Sequence, residues 1–446
     1  MMTTSSAERT SAPPASWYLL AVVTALLVLG MVDRLSLTLL VAPIKRDLGI
    51  GDGQMSLLLG PSFGLLYAIV GLPAGHFIDR YNRRNLLLTG ALIWTLMTFA
   101  SAFAPNYETL FVTRAGVGLG EAVLSPAMYS MIRDSFPQHQ RALAYGIGNM
   151  GSPLGTGFAL VAIGHVGAWA QAGDLAWIPV VGHLGDWRTV LAVIGLAGVP
   201  VALLLLTTAE PRRPASDPGG ADEANVAAVL AWLREWRGPY LCIYLSTAFY
   251  GTALNGMLSW APEALSRGWH VPINQIGPHM GRLQLIAAPS GLLLAGLVLT
   301  FMRKRSAVAA LAWPGAVALA VAAGLIGLWS QSSFADGWRW MGLILFLTPW
   351  SGVTLAALLA QLTPSRMMGK IAAVNFLMLG LVGMIAGPTL NPFLARLFSG
   401  DRALQAGVGL GSGTAMALSS LAMLLCGVLI ARRGGETTGI ARMAPA

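Results

Sequence analysis

Long apolar runs separated by short polar turns set the pattern of this chain. A helix crossing a bilayer needs about 20 predominantly apolar residues. Runs of that length begin near Ser16, Gln54, Leu86, Glu108, Ala142, Trp187, Pro239, Gln275, Ala307, Trp338, Gly369 and Gln405. They lack the short alternating segments of an outer-membrane barrel. The pattern predicts an all-α integral membrane protein with twelve transmembrane helices. One long polar break, residues 209–238, divides the spans six and six. Its first part, Pro211–Gly220, is rich in Pro and Gly and reads as a flexible linker. Val226, Val229, Leu230, Leu233 and Trp236 then follow helical spacing, with Asp222, Glu223, Arg234 and Arg237 mostly opposite. That predicts a short amphipathic helix on the inner membrane face.

The expected organisation is a polar, disordered tail over residues 1–15, a six-helix bundle over 16–208, a cytoplasmic linker over 209–238, a second six-helix bundle over 239–432 and a tail over 433–446. No short apolar segment with a cleavage site precedes the first span, so that span is expected to direct insertion and remain. The stretch Gly164–Trp187, with Trp169, Trp177 and Trp187, is expected to form an interfacial hairpin at headgroup level.

Composition agrees with lipid as the main solvent. Hydrophobic residues make up 55% of the 446 and charged residues only 11%, where a soluble protein carries about 25% charge. Mean hydropathy is +0.65. The net charge of +9 does not point to nucleic acid, because it sorts by loop. With the N-terminus inside, 18 of the 28 Lys and Arg fall on the inner side, including Arg80, Arg83, Arg84, Arg303, Lys304, Arg305, Arg366, Lys370, Arg432 and Arg433. Seven fall outside: Lys45, Arg46, Arg188, Arg267, Arg339, Arg396 and Arg402. The excess orients both termini to the cytoplasm, as in a bacterial inner membrane. Cys242 and Cys426 lie in apolar runs and read as small buried hydrophobes, with no disulfide framework.

The two halves echo each other. Phe136-Pro137 and Arg141 follow the fourth span; Thr363-Pro364, Arg366 and Lys370 follow the tenth. The fifth span carries Gly148, Gly151, Ser152, Pro153, Gly155 and Gly157, and the eleventh Gly380, Gly383, Gly387 and Pro388. Internal duplication with Gly- and Pro-interrupted helices is a transporter pattern, with the site between the repeats. Small residues also serve close helix packing, and both roles fit here.

Charge inside the spans carries the chemistry. Asp33 and Arg34 sit side by side in the first apolar run, and Arg114 and Glu121 share one face of the fourth. A charge at bilayer depth costs several kcal/mol, about 2.5–3.5 on insertion scales, so it is paired and functional by default. Counted at about 1.5 Å per residue, Asp33 and Arg114 lie at nearly the same depth and are expected to pair between helices, with Arg34 and Glu121 completing a neutral quartet. A static Arg114–Glu121 pair fixing helix register is the competing reading. Burial disfavours a charged carboxylate and a nearby Arg favours it, so Asp33 and Glu121 are candidates for proton handling, with Arg34 and Arg114 as charge partners.

Between the second and third runs the sequence reads Gly75-His76-Phe77-Ile78-Asp79-Arg80-Tyr81-Asn82-Arg83-Arg84. This resembles the signature loop of the major facilitator superfamily, G-x-x-x-D-R-x-G-R-R, with Asn82 in place of the second Gly. Asn tolerates the left-handed backbone such a turn can require. Asp79 is expected to pair with basic groups and a facing helix N-terminus, so Gly75, Asp79, Arg80, Arg83 and Arg84 form a candidate conformational latch. Arg114-Ala115-Gly116-Val117-Gly118 resembles a second signature of that superfamily. Asp33-Arg34, Ile44-Lys45-Arg46-Asp47-Leu48-Gly49, Phe63 with Tyr67, Gly120-Glu121-Ala122, Ser125-Pro126, Asp134-Ser135-Phe136-Pro137 and Trp260-Ala261-Pro262 together resemble the Spinster family in its bacterial form. The resemblance is densest over 31–153. It implies the major facilitator fold, two pseudo-symmetric six-helix bundles that rock around a central site, and a proton-linked carrier. Eukaryotic members take sphingolipid or lysophospholipid substrates.

The second half has no carboxylate matching Asp79 in Met302-Arg303-Lys304-Arg305. It offers Glu263 and Arg282 near the outer end and neutral polar groups elsewhere. Phe63, Tyr67, Asn149, Tyr250, Asn255, Trp260 and Asn375 are candidate cavity-lining residues. One charged wall facing a mostly apolar wall suits an amphiphile. The expected partners are therefore a small amphipathic substrate, protons and the bilayer, with the protein a monomer. A multidrug or organic-anion carrier is the alternative within transport. A membrane-embedded lipid enzyme is less favoured, since no nucleophile, base or clustered His and carboxylates share one depth. No cofactor is expected: the six His show no metal-ligand spacing and no phosphate-binding GK[ST] loop exists.

Overall fold

In the computed structural model the described residues are 11–179, 181–213, 226–305, 308–364 and 367–433. Most of the expected tails, with Asp222, Glu223, Arg366 and the Pro/Gly-rich part of the linker, lie outside them. The described chain is built from helices: α1 (Pro14–Leu35), α2 (Val41–Leu48), α3 (Asp52–Leu59), α4 (Pro61–Arg80), α5 (Arg83–Ser101), α6 (Tyr107–Glu121), α7 (Leu124–Ser135), α8 (Gln138–Ala172), α9 (Asp186–Leu203), α10 (Val226–Glu235), α11 (Arg237–Trp269), α12 (Ile273–Arg305), α13 (Ala312–Gln331), α14 (Phe334–Leu362), α15 (Met368–Leu377), α16 (Gly383–Ala395) and α17 (Ala403–Arg432). Nine stretches among the described residues are long and apolar enough to cross a membrane.

The chain divides into two compact units, Met1–Ser36 with Leu66–Pro218, and Leu37–Leu65 with Gly219–Ala446. In the first unit α1 packs on α8, and α5 packs on α6 and α9. In the second, α11 packs on α16 and α17, α13 on α14 and α17, and α12 on α14. The helix α3 also belongs to the second unit, packed on α16. Gly60 makes that approach feasible: it separates α3 from α4, and a Cβ there would run into the Met384 carbonyl and the Pro388 ring. The carbonyl of Met384 has lost its helical donor to Pro388, which has no N–H.

Three expectations need correction. Gly164–Trp187 is no hairpin: α8 continues to Ala172 and ends at left-handed Gly173, followed by turns and the short 3-10 segment Val181–His183. Gly164 and Gly167 are tolerated within the helix, and no proline interrupts this end of it before Gly173. Trp169 and Trp177 are exposed, but Trp187 is buried at the start of α9. Asn82 is not left-handed. It lies in the β region (φ −64°, ψ 115°) and caps α5, its side-chain oxygen accepting from the Asn85 amide at 2.8 Å. The first helix also stops earlier than its apolar run predicts, for a reason that belongs to the site.

Candidate functional site

Asp33 and Arg34 close the last turn of α1. Beyond Leu35 the chain tightens into a 3-10 turn, Ser36–Leu39, although the apolar sequence continues. The Asp33 carbonyl accepts from Ser36 Oγ at 2.7 Å and from Arg114 Nη2 at 3.1 Å. Side-chain donors thus compete with the next helical turn for that carbonyl.

The four charges are all in the first unit and pair crosswise between α1 and α6. Asp33 is 1% exposed. Its carboxylate lies 3.2 Å from Arg114 Nη1, and Thr98 Oγ1 of α5 sits 2.5 and 2.6 Å from its two oxygens. Arg34 Nη2 donates to Glu121 Oε2 at 2.7 Å, and its guanidinium stands 5.4 Å from the centre of the Tyr67 ring, within cation–π range. Gly30, one turn before Arg34, packs beside the Glu121 carboxyl, where a Cβ would make an ordinary van der Waals contact at 3.5 Å. Each helix supplies one acid and one base, and the pairing satisfies the rule that buried charge must be compensated. Among the described residues, Glu121 Oε1 and Arg114 Nε are buried without a hydrogen-bond partner. The depth count placed Asp33 with Arg114 correctly, and Arg114 and Glu121 each reach α1 rather than each other.

The signature loop divides into two parts. Gly75, Asp79 and Arg80 are exposed, and no ion pair joins the Asp79 carboxylate to a described residue. Arg83 is buried. It donates to Asp134, to Glu210 Oε1 at 2.7 Å, to Ser130 Oγ at 2.9 Å and to the Pro211 carbonyl at 2.7 Å. The Arg84 amide donates to Glu210 Oε2 at 2.8 Å, and Arg213 donates to the carbonyls of Ile78, Asp79 and Tyr81. The arginines of the loop therefore anchor it to α7 and to the segment after α9.

The candidate lining residues separate on burial. Tyr67 is half-buried against Arg34. Asn149 is exposed, accepting from Tyr129 Oη at 2.7 Å. In the second unit Asn255 and Asn375 are half-buried, Asn375 accepting from Thr247 Oγ1 at 2.8 Å. Tyr250 is buried. Phe63 and Trp260 are buried as well. Phe63 is 4% exposed, and Trp260 is fully buried, with Nε1 donating to the Pro388 carbonyl at 2.7 Å.

Sequence reading missed two groups. Thr98 is one; Thr95, Thr98 and Ser101 give α5 a run of hydroxyls, which does not by itself single out Thr98. The other is Arg267 in the second unit. Its fork spans both oxygens of Asp52 at 2.9 Å, Lys45 Nζ meets Asp52 at 2.5 Å, and Arg267 Nε reaches Glu263 at 2.7 Å. The i, i+4 spacing of Glu263 and Arg267 was the available signal. A cavity of about 670 Å³ beside Asp52 and Arg267 is also lined by His270, Arg396 and Asp401.

Buried, crosswise-paired charges among long apolar helices are what a membrane carrier needs, and the chain belongs to the Major Facilitator Superfamily, whose family model matches residues 22–388. That family implies twelve spanning helices. Here Asp52–Gly71, which runs from α3 into α4, and Met368–Ala395, which joins α15 and α16, are each a broken stretch long and apolar enough to span. Its members move small molecules through the membrane and are not enzymes. Among relatives, the chain is 30% identical to Protein spinster homolog 1 of Homo sapiens over 261 residues, 57% of this chain and 47% of that one. It is 26% identical to an MFS-type efflux pump of Mycolicibacterium smegmatis over 285 residues, 64% of this chain and 62% of that one. The chain thus spans about half the length of the Spinster homologue. A solved bacterial homolog of the human lysosomal transporter Spinster, described as inward-facing and unoccupied, superposes with a TM-score of 0.79 at 24% identity, covering 98% of this chain and 100% of that one.

Proposed function

We propose that this chain is a secondary active transporter that couples proton movement to the passage of an amphipathic, lipid-like molecule of lysophospholipid or sphingoid type, by alternating access in a bacterial inner membrane with both termini cytoplasmic. The observation that carries this reading is the crosswise quartet. Four charges in low-dielectric surroundings stay balanced only while both acids are ionised, so a proton on Asp33 or Glu121 leaves excess positive charge on Arg34 and Arg114. An anionic headgroup relieves that excess, and Arg holds phosphate or carboxylate by its fork. Asp33 and Glu121 take the proton-handling role, and Gly75, Asp79, Arg80, Arg83 and Arg84 the latch. An acyl tail adds about 0.8 kcal/mol per buried methylene. The likeness to Spinster homologues supports this substrate class; the likeness to an efflux pump supports a multidrug or organic-anion carrier as the second reading.

The test is reconstitution. Lysophosphatidylethanolamine is expected to raise the melting temperature of the purified protein more than short hydrophilic anions such as hexuronate do. In proteoliposomes its uptake should follow an imposed proton gradient and vanish in Asp33→Asn. Stronger stabilisation by the short anions would replace the lipid reading with the organic-anion one. Gradient-driven uptake by Asp33→Asn would remove Asp33 from the coupling.

A further inference from the structure

We propose that Thr98 is a positioning residue that sets the proton affinity of Asp33. This deepens the proton-coupled reading and rests on it. Buried hydroxyls on helices normally satisfy themselves by folding back onto a carbonyl three or four residues earlier. The neighbours of Thr98 on α5 do this: Thr95 Oγ1 donates to the Ala91 carbonyl at 2.8 Å, and Ser101 Oγ to the Met97 carbonyl at 2.8 Å. Thr98 does not. Its hydroxyl, fully buried, turns sideways and centres on the two oxygens of Asp33 at 2.5 and 2.6 Å. The Arg114 contact with the same carboxylate is longer, at 3.2 Å. The hydroxyl, rather than the guanidinium, is therefore the nearest donor to the ionised carboxylate.

A hydroxyl can serve both protonation states, whereas a guanidinium cannot. When Asp33 is ionised, Thr98 donates to it. When Asp33 carries a proton, its O–H can donate to Thr98 Oγ1, and the hydroxyl hydrogen is free to fold back onto its own helix, as that of Thr95 does. Arg114 can only donate, and meets a protonated Asp33 at a loss. The other charged groups near Asp33 are Arg34 on α1 and Glu121 on α6; α5 brings only hydroxyls to this level, and the charges of α9, Asp186 and Arg188, sit in its first turn. Thr98 thus lets the site change protonation without stranding a buried polar atom on that side.

The experiment is an infrared titration of the purified full chain in detergent, with the Asp33 carboxyl band identified by its loss in Asp33→Asn. In Thr98→Val, which keeps shape and removes the donor, the midpoint of that band should move toward alkaline pH by about one unit or more, because a hydrogen bond to a charged group has been lost. Thr98→Ser should hold the midpoint near that of the unaltered protein. If Thr98→Val does not fold, Thr98→Cys, a weak donor, should shift the midpoint in the same direction. An unshifted midpoint in the valine or cysteine variant, or a serine variant shifted as far, overturns the proposal in favour of a packing role. Failure of the proton-coupled reading is read separately, as gradient-driven uptake by Asp33→Asn, and leaves the infrared comparison standing.

Discussion

At the scale of single residues, the information lay in charges that a lipid-facing helix should not contain. Asp33, Arg34, Arg114 and Glu121 were legible because each is costly where it sits, and a depth count predicted which helices would meet. Their hydroxyl partner was not legible in the same way, since Thr is common in spans and only geometry separates Thr98 from Thr95. Arg114 allows a sharp prediction. Its Nη1 meets the Asp33 carboxylate and its Nη2 the Asp33 carbonyl, so one planar group holds both the acid and the end of α1. Lys keeps the charge but offers a single nitrogen. Arg114→Lys should therefore cost about 1.5–3 kcal/mol of transition-state or binding free energy, read as at least a tenfold loss of transport. Circular dichroism should stay helical. Transport within twofold of the unaltered protein would show that the second contact is dispensable.

At the scale of elements, the apolar runs announced where the spans lie, and the breaks inside them were hidden. Gly60, the interruption between α6 and α7, and the π-helical turn Met378–Val382 all sit within apolar sequence. Pro61 and Pro126 stand at two of them, but a proline alone does not separate a break from a continuous helix such as α8, which carries Pro153. The α11–α16 contact shows how such irregularity is stabilised. Pro392 has no N–H, so the Pro388 carbonyl lacks its helical donor, and Trp260 Nε1 takes that place at 2.7 Å. Sequence reading named Trp260 as a candidate lining residue, and it could not show that the indole N–H is committed to the backbone. Trp260→Phe should lower stability by about 1–3 kcal/mol, the cost of a buried carbonyl left unpaired. Adding Pro392→Ala restores the backbone donor and should recover part of that loss. A double-mutant cycle of melting curves without coupling between the two positions would reject this account.

At the scale of the whole molecule, the sequence led us to expect a duplication divided six and six at the linker, and nothing in it signalled the assignment of Leu37–Leu65 to the second unit. The expected boundary followed the linker, because composition changes there. Compactness follows contacts, and this segment of the first half makes its contacts through α3 with α16 and through Asp52 with Arg267. The latter is bidentate and about one third exposed on each side, with Lys45 on Asp52 and Glu263 on Arg267 extending it to four residues. An isolated surface pair contributes little, but a bidentate fork within a network contributes more. Asp52→Asn removes the charge and leaves Lys45 and Arg267 facing each other across a neutral amide, while Glu263 still satisfies one edge of Arg267. The expected result is a loss of about 1 kcal/mol in melting experiments at low salt, shrinking as salt screens the charges. It should come with faster proteolysis between Leu37 and Asp52 as the segment detaches more often. Unchanged proteolysis would mean that the apolar packing of α3 on α16 holds the segment by itself, and that the charge network sits there for another purpose.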